Sequence, residues 1–393
     1  MLTTMRRTFA LVAGLGLVTQ VISITALGNE PGPIHSDAAP YFVYFGTYTR
    51  AESKGIYVSA FDEATGQLSA PALAAKSSNP AYLVAHPNHR FLYAVGDASG
   101  ASNGVVKAFA IDKSSGLLSF LNAQPSGGSG PTHLAIDRTG ACLLVANYGS
   151  GSIAALPIRA NGTLGPPATS IQHHGSSVDP KRQQGPHAHC VGFDLSNQRA
   201  LCADLGLDKI LVYKCDASNA TLSPNDPPSA SVPPGAGARH FVFDANGHRL
   251  YVINEMQSSI TAFHYDQTNG SLTEFQTVTT LPTTFSGTNT AAEIAIPPNG
   301  KFLYASNRGD NSIMVYSIDG VTGLLSPIQR QPSLGKTPRM FAIDPTGRFL
   351  FAANQDSHNI VVFRIDPETG RLTLTGQQLE ISMPTCVLFV RTS

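Results

Sequence analysis

The sequence is poor in several residue types, and each shortage argues against a class of protein. Its 393 residues include no tryptophan, which weighs against repeats of the WD40 type. Only 13% of the residues are charged, and 26 Lys and Arg balance 26 Asp and Glu, so bulk charge does not favour nucleic acid or an anionic membrane as a partner. The five cysteines include no Cys-x-x-Cys pair, which does not fit a cysteine-based zinc site or a disulfide framework.

Residues 1–27 are predicted to be a signal peptide. Arg6 and Arg7 precede an uncharged apolar run that extends from Phe9 to Leu27. The paired arginines also fit a twin-arginine export signal, although an ordinary basic start explains them equally well. An uncleaved anchor is a further alternative, against which the glycines within the run count. We expect residues 28–40 to be a linker, and the mature protein to be periplasmic or secreted without a membrane span.

Residues 41–393 repeat one pattern seven times. A short apolar run that often ends in asparagine begins at positions 42, 92, 143, 201, 250, 303 and 350. Each copy is preceded by an apolar segment and a turn, and it is followed by an alternating segment and a glycine-containing turn. These segments are rich in β-branched and aromatic residues and bounded by Gly, Pro, Asn and Asp, which is typical of strands. Four strands in every 47 to 58 residues predict the blades of a β-propeller.

The two ends of the repeat region complete each other. Residues 41–45 form the second strand of a blade with no first strand before it, and residues 385–390 form a first strand with nothing after it. Pairing them removes an open sheet edge. We therefore predict an all-β fold with one domain, 41–393. It is a seven-bladed β-propeller of four-stranded antiparallel blades, closed by the C-terminal strand, and we expect it to be a monomer.

Functional residues are sought where the repeat is broken, because residues that recur in every blade are structural by default. One position near the start of each innermost strand is expected to lie at equivalent places around the channel. In chain order it holds Ala81, Thr132, His189, Arg239, Ala292, Arg339 and Thr385. The convergence of one histidine and two arginines predicts a binding site at one end of the channel. The alternative is a solvated rim whose arginines bond to nearby carbonyl groups.

A second variable position directly follows the recurring asparagine of each blade, and it holds Glu255 and Arg308 in two adjacent blades. These two residues allow two interpretations: a structural salt bridge, or a general acid–base carboxylate beside an anion-binding guanidinium. Glu293 and His133 lie one position beyond the first variable position and are expected behind the site. The asparagines themselves are expected to join blades or to form turns: Asn147, Asn254, Asn307 and Asn354.

The longest repeat carries an unusual loop, residues 178–189, that leads into an innermost strand. It contains Arg182, Gln183, His187 and His189. His-x-His alone is a weak metal signal because no carboxylate stands at metal-ligand spacing, so we predict neither a metal ion nor another cofactor. A histidine near an arginine suits proton transfer beside an anion, whereas a loop histidine that only bonds to backbone is the alternative.

His86, His173 and His174 have no such support. His173 is expected at the surface. Cys190 and Cys202 flank one hairpin and are expected to be reduced core residues, although the hairpin also allows them to face each other.

Several motifs fall in one order along the chain: Arg182-Gln183, 186–189, 203–210, 237–240, Asn254-Glu255, 305–308 and Pro338-Arg339. In this order they resemble the lactonase family of seven-bladed propellers, which includes propeller-type 6-phosphogluconolactonases and fungal carboxy-cis,cis-muconate lactonizing enzymes. The resemblance implies a metal-independent site with these catalytic and anion-binding positions: His189, Arg239, Glu255 and Arg308. The remaining candidates are expected to contact substrate: Arg182, Gln183, His187 and Arg339.

The expected function is hydrolysis of a small anionic or sugar-derived lactone, with 6-phosphogluconolactone as one candidate. Glu255 or His189 would deprotonate the attacking water. Arg239 and Arg308 would hold the anionic group of the substrate and the developing oxyanion. Two alternatives stay open: a muconate-type lactonizing enzyme, and a non-catalytic propeller that binds a carbohydrate or a protein in the cell envelope. Export favours the last alternative over an enzyme of phosphosugar metabolism.

Overall fold

The structure is a computed structural model that describes residues 41–97 and 104–392. The predicted signal peptide, residues 1–27, and the predicted linker, residues 28–40, lie outside the described residues. Within the two described ranges, no helix is long and apolar enough to span a membrane.

Strands account for nearly all of the regular structure. The first sixteen are β1 (Tyr41–Thr47), β2 (Gly55–Asp62), β3 (Gln67–Leu68), β4 (Ala72–Lys76), β5 (Leu83–Ala85), β6 (Phe91–Asp97), β7 (Gly104–Ile111), β8 (Leu118–Pro125), β9 (Pro131–Ile136), β10 (Cys142–Asn147), β11 (Ser152–Pro157), β12 (Thr169–Gln172), β13 (Ala188–Phe193), β14 (Arg199–Asp204), β15 (Lys209–Asp216) and β16 (Thr221–Ser231). The others are β17 (Ala238–Phe243), β18 (Arg249–Asn254), β19 (Ser259–Tyr265), β20 (Leu272–Thr279), β21 (Thr290–Ala295), β22 (Phe302–Arg308), β23 (Ser312–Ile318), β24 (Leu325–Pro332), β25 (Pro338–Ile343), β26 (Phe349–Asn354), β27 (Asn359–Ile365), β28 (Leu372–Glu380) and β29 (Pro384–Arg391). A short 3-10 helix, Gln355–Ser357, follows β26.

The described strands form seven antiparallel sheets, which are the blades of a closed propeller. Blades 2 to 7 each contain four consecutive strands, from β5–β8 in blade 2 to β25–β28 in blade 7. Blade 1 contains β1 to β4 and β29, because its outermost strand is divided into β3 and β4. β29 pairs with β1 from Tyr41, opposite Arg391, to Thr47, opposite Pro384. The seven-bladed fold and its closure by the C-terminal strand are therefore confirmed.

The second strand of each blade is buried on both faces because the blades stack against each other. In β26, Phe349 and Phe351 pack against Phe61 of blade 1. Leu350, on the opposite face of the same strand, belongs to the cluster around Tyr304 of blade 6. The alternation of side chains along a strand thus supplies a hydrophobic cluster to the interface on each side of the blade.

A tyrosine hydroxyl joins four of the neighbouring blade pairs. It donates to a glycine carbonyl in a turn of the next blade: Tyr44 to Gly116 at 2.8 Å, Tyr93 to Gly162 at 3.0 Å, Tyr251 to Gly323 at 2.8 Å and Tyr304 to Gly370 at 2.7 Å. Glycine suits these turns because the backbone takes a positive φ, which is 69° at Gly370. The recurring aromatic residue of the repeat is thus a contact between blades.

Three of the recurring asparagines also join blades, as predicted. Each donates a side-chain N–H to a carbonyl directly after the outermost strand of the preceding blade: Asn147 to Ser126 at 2.9 Å, Asn307 to Thr280 at 2.7 Å and Asn354 to Ser333 at 3.1 Å. Asn254 differs, because its amide bonds to Ser259 and Thr261 of its own blade.

Candidate active site

Five of the seven innermost strands carry a β-bulge at the first variable position of the repeat. The antiparallel ladder skips His189 in β13, Arg239 in β17 and Arg339 in β25. It also skips Thr132 in β9 and Thr385 in β29. A bulged residue is released from the ladder, and the bend of its strand redirects the side chain. The bulges therefore explain how these five residues are directed toward the channel.

A cavity of about 430 Å³ opens at this end of the channel. Five of the eight predicted site residues line it: Arg182, His189, Glu255, Arg308 and Arg339. Arg239 is only 1% exposed and lines a narrow extension of the channel next to the cavity, together with His189 and Arg339. Two predicted residues, Gln183 and His187, are not among the residues that line the cavity.

Glu255 is the centre of an ionic cluster at the wall of the cavity. Its Oε2 accepts hydrogen bonds from Arg239 Nε at 3.0 Å and from Arg308 Nη2 at 2.7 Å. Its Oε1 accepts a hydrogen bond from Arg182 Nη2 at 2.8 Å. The salt bridge between Glu255 and Arg308 is therefore present, and it forms part of a cluster of three arginines around one carboxylate.

This cluster fixes the charge of Glu255. Burial alone would raise the pKa of its carboxyl, but the guanidinium groups of Arg308, Arg239 and Arg182 lower that pKa to about 2. A carboxylate with so low a pKa is a weak proton acceptor at neutral pH. Three guanidinium groups against one carboxylate also leave the cluster with a net positive charge.

His189 is uncharged at neutral pH. Burial, and then the nearby charge of Arg239, hold the pKa of His189 well below its usual range. Its Nδ1 is buried and has no hydrogen-bond partner among the described residues. The ring meets Tyr148 edge to face, with centroids 5.6 Å apart. Since Nδ1 is buried, Nε2 is the ring nitrogen that remains available to the cavity.

Gln183 anchors the loop that carries Arg182. The Gln183 side chain is fully buried. Its Nε2 donates to Leu205 O and to Asp208 Oδ1 at 2.8 Å each, and its Oε1 accepts from the backbone N–H of Asp179 at 3.1 Å. The prediction that Gln183 contacts substrate is corrected accordingly. Its hydrogen bonds hold the loop in the position from which Arg182 reaches the ionic cluster.

His187 lies behind the wall of the cavity. Its ring stacks on Tyr148 with centroids 4.5 Å apart and an angle of 17° between the planes. Its Nδ1 lies 3.0 Å from the carbonyl oxygen of Tyr148. The structure therefore places His187 as a support of Tyr148, which itself lines the cavity, and not in contact with the cavity as predicted.

The prediction that His173 lies at the surface is wrong. The residue is 5% exposed, and both of its ring nitrogens have partners. Nδ1 lies 2.6 Å from Asp204 Oδ2, and Nε2 lies 2.9 Å from the hydroxyl of Tyr213. These hydrogen bonds offset the free-energy cost of removing the ring nitrogens from water. Asp204 also accepts the backbone N–H of His187 at 2.8 Å, so this network holds the end of the same loop.

Several residues that line the cavity are not among the predicted site residues, and three of them have large side chains: Tyr48, Arg50 and Tyr148. Arg50 and Arg339 both lie over the ring of Tyr48, with Cζ 4.5 and 5.6 Å from its centroid. Within residues 41–97 and 104–392, neither arginine forms an ion pair with a carboxylate. Tyr48 and Arg50 follow the second strand of blade 1, as Tyr148 does in blade 3. Tyr148 directly follows Asn147 and so occupies the second variable position, whereas only a comparison of the whole loops would have identified Tyr48 and Arg50.

The cysteines play no visible part in the site. Cys190 and Cys202 are buried free thiols, and the ladder pairs Cys190 with Ala203 and not with Cys202. The prediction of reduced core residues is therefore confirmed. In the part of the chain that the structure describes, no cluster of three or more His, Cys, Asp or Glu side chains is arranged to hold a metal ion.

The whole propeller matches a known family and its members. The family model of the lactonase with a seven-bladed β-propeller matches residues 42–389. A 6-phosphogluconolactonase from Bacillus subtilis is 37% identical over 350 residues, which cover 89% of this chain and 98% of that protein. A 6-phosphogluconolactonase from Formosa agariphila is 36% identical over 303 residues, which cover 76% of this chain and 85% of that protein.

The agreement in fold is equally extensive. A solved structure of a periplasmic gluconolactonase from Pseudomonas aeruginosa matches with a TM-score of 0.85 and 34% sequence identity, and the match covers 90% of this chain and 99% of that one. These matches span the blades and the residues of the cavity alike. The chain therefore belongs to the family of seven-bladed β-propeller lactonases.

Proposed function

We propose that this propeller hydrolyses a sugar lactone that carries an anionic group, with 6-phosphogluconolactone as the first candidate. Hydrolysis of a sugar lactone is supported by membership of the family and by the names of the relatives from B. subtilis and F. agariphila. The relative from P. aeruginosa is named a gluconolactonase, so the anionic group must be argued from this chain's own cavity.

The positive charge of the cavity is the observation that carries the proposal. Four arginines line it against two carboxylates: Arg50, Arg182, Arg308 and Arg339 against Asp97 and Glu255. Arg182 and Arg308 are already paired with Glu255, whereas Arg50 and Arg339 have no ion pair within the described ranges. A phosphate group bound by Arg50 and Arg339 would form charge-assisted hydrogen bonds with both. The sugar ring would then lie next to Tyr48.

We assign His189 as the general base. It is neutral at pH 7, and its available nitrogen faces the cavity, so it can accept a proton from a bound water. Glu255 is the weaker candidate, because both of its oxygens already accept hydrogen bonds from guanidinium groups, whereas Nε2 of His189 has no such bond within the described ranges. The part of Glu255 in the reaction is to hold Arg182 and Arg308 in place.

The reaction needs two proton transfers: one from water to His189, and one from His189 to the ring oxygen of the lactone. Nε2 of His189 takes a proton from water as the water oxygen attacks the carbonyl carbon of the lactone, and the carbonyl oxygen becomes an oxyanion next to Arg308. The ring C–O bond then breaks, and the imidazolium of His189 returns the proton to the departing ring oxygen. The products are a carboxylic acid and a free hydroxyl group, and the protein returns to its starting state.

We further propose that the protein works outside the cytoplasm. Arg6 and Arg7 ahead of the uncharged run support export, and the relative from P. aeruginosa is named as periplasmic. Fractionation followed by N-terminal sequencing should find a mature protein that begins near Leu27. A full-length product in the cytoplasm contradicts this proposal.

The proposed activity is tested by a hydrolysis assay of the purified protein, corrected for spontaneous opening of each lactone. 6-Phosphogluconolactone should be hydrolysed with a higher kcat/KM than glucono-δ-lactone, which has the same ring without the phosphate. Equal kcat/KM values for the two lactones contradict the anionic part of the proposal. No acceleration of either lactone, or of a muconolactone included as a third substrate, contradicts the proposal of hydrolysis.

A further inference from the structure

We propose that Glu293 positions His189 for proton transfer through one buried water molecule. Glu293 lies on β21, one residue beyond the first variable position of blade 6, and does not line the substrate cavity. It is therefore a positioning residue, which acts through His189. The inference rests on the proposed role of His189 as the general base.

A narrow extension of the channel is shared by the two residues. Its volume is about 10 Å³, which is close to the minimum that one water molecule occupies. His189 lines both this space and the larger cavity, and Glu293 lines this space from blade 6. Two buried polar atoms of these residues have no partner in residues 41–97 and 104–392: His189 Nδ1 and Glu293 Oε2. One water bonded to both would satisfy two groups whose burial is otherwise costly.

The other carboxyl oxygen of Glu293 is already engaged. Oε1 accepts the backbone N–H of Ile294 at 3.1 Å and lies 3.1 Å from His240 Nδ1. The rings of His240 and His189 are in contact, with centroids 5.0 Å apart. Glu293 is therefore fixed close to His189, and Oε2 is the atom left for the water.

The water would select the tautomer of His189. When Glu293 is ionised, the water donates to Oε2 and accepts the Nδ1–H of His189, so Nε2 is unprotonated and can act as a base. When Glu293 is protonated, its hydroxyl donates to the water, and the water donates to Nδ1. The ring hydrogen of neutral His189 then lies on Nε2, which can no longer accept a proton from the attacking water.

This change of tautomer falls in the neutral pH range. Burial, opposed in part by Arg239, raises the pKa of Glu293 to about 7. The other titratable or charged groups around it are Arg339, His133, His240, Tyr82, Cys190 and Cys386. Burial lowers the pKa of His133 and His240. Burial also raises the pKa of Tyr82, Cys190 and Cys386. All five groups therefore stay neutral near pH 7. The rate should therefore rise with pH through about 7, because Glu293 loses its proton there.

The pH dependence of kcat for 6-phosphogluconolactone tests this inference. The wild type should show a limb with an apparent pKa near 7. Glu293→Gln cannot ionise, so it should lose this limb and be slower by roughly 10²-fold above neutral pH, the lower end of what general acid–base catalysis contributes. Glu293→Asp keeps a carboxyl group and should keep the limb. A Glu293→Gln protein with the wild-type profile and rate overturns the proposal.

Met340→Leu is the matched control, because Met340 lines the same narrow space and the change adds no polar atom. It should keep the wild-type pH profile. Melting temperatures of the same samples separate an effect on the profile from a defect in folding. If His189→Ala leaves hydrolysis unchanged, the proposed base is wrong, whereas a wild-type profile in Glu293→Gln alone overturns only the role of Glu293.

A high-resolution crystal structure tests the water independently of any activity. One water should lie within hydrogen-bond distance of both His189 Nδ1 and Glu293 Oε2. A side chain at that position, or the lack of a water bonded to both atoms, overturns the proposal even if the enzyme hydrolyses lactones.

Discussion

The interfaces between blades and the rim of the channel are both built from equivalent positions of one repeat. These positions hold the same residues at the interfaces and different residues at the rim. Between blades, the same groups return: a tyrosine hydroxyl bonds to a glycine carbonyl of the next blade, as at Tyr251 and Tyr304. At the rim, the equivalent position holds His189 in one blade, Arg239 in the next and Ala292 in the one after. Side chains at the interfaces recur, whereas side chains at the rim change from blade to blade.

This difference separates what the fold requires from what the chemistry requires. Every interface poses the same packing problem, so the same residues solve it. At the rim, the bulges release residues such as His189 from the ladder and leave their identity free to vary. There the protein buries Arg239 and Glu255, although buried charges are costly and add little to stability even when paired. We therefore attribute these charges to the proposed binding of an anionic substrate and not to a requirement of the fold.

His189→Ala should separate the two regions most strongly. It removes the proposed base and leaves the tyrosine–glycine hydrogen bonds between blades intact, so kcat should fall roughly 10²- to 10⁴-fold while the melting temperature changes little. His174→Ala is the control, since His174 is exposed in the same loop region and should not affect kcat. A wild-type kcat in His189→Ala would remove the basis for the mechanism.

Glu255→Gln should affect both stability and rate, because Glu255 balances three guanidinium groups at the rim. Loss of this buried counter-charge should lower the free energy of unfolding by roughly 3 kcal/mol at neutral pH. The pKa of Glu255 is lowered from 4.5 to about 2, so its stabilisation is present above pH 4.5 and is lost as the pH falls toward 2.

Urea unfolding of the wild type and Glu255→Gln should therefore show a gap in stability that narrows as the pH falls from 5 toward 2. A gap that does not change with pH contradicts the assigned charge state. The hydrolysis rate, measured on the same samples, should also fall, because Arg182 and Arg308 lose the carboxylate that holds them. An unchanged rate with lower stability would mean that the cluster serves the fold alone.

Arg339→Ala should separate binding of the phosphate from catalysis within the rim. If Arg339 binds the phosphate, the KM for 6-phosphogluconolactone should rise roughly 10- to 100-fold with little change in kcat, since this contact exists before the transition state. The KM for glucono-δ-lactone should stay the same. Arg371→Ala, in an exposed turn of blade 7, is the control. An equal rise of KM for both lactones contradicts the phosphate contact.

Tyr251→Phe should have the smallest effect of these substitutions. It should lower stability and leave activity unchanged. It removes one hydrogen bond between blades, so the free energy of unfolding should fall by about 1 kcal/mol, while kcat and KM stay unchanged. Tyr57→Phe, which removes a hydroxyl at an exposed hydrogen bond, should have less effect on stability. A loss of activity in Tyr251→Phe would mean that the interfaces and the rim are coupled.

The repeat allowed the blades, their number and the closure of the ring to be predicted, because the same turns and strands recur at a regular period. Counting from each turn also located His189 and Arg339 correctly. Gln183 and His187 were placed too close to substrate, because sequence proximity does not define the direction of a side chain in an irregular loop. His173 was misplaced because its partner Asp204 lies 31 residues later, in the next blade. Such partners are visible only once the blades are stacked.

A crystal structure with 6-phosphogluconate, the product of the proposed reaction, tests the assignment of the rim most directly. The phosphate should contact Arg50 and Arg339, and the carboxylate should lie next to His189 and Arg308. Binding of the product in the reverse orientation, or at the opposite end of the channel, would contradict this assignment.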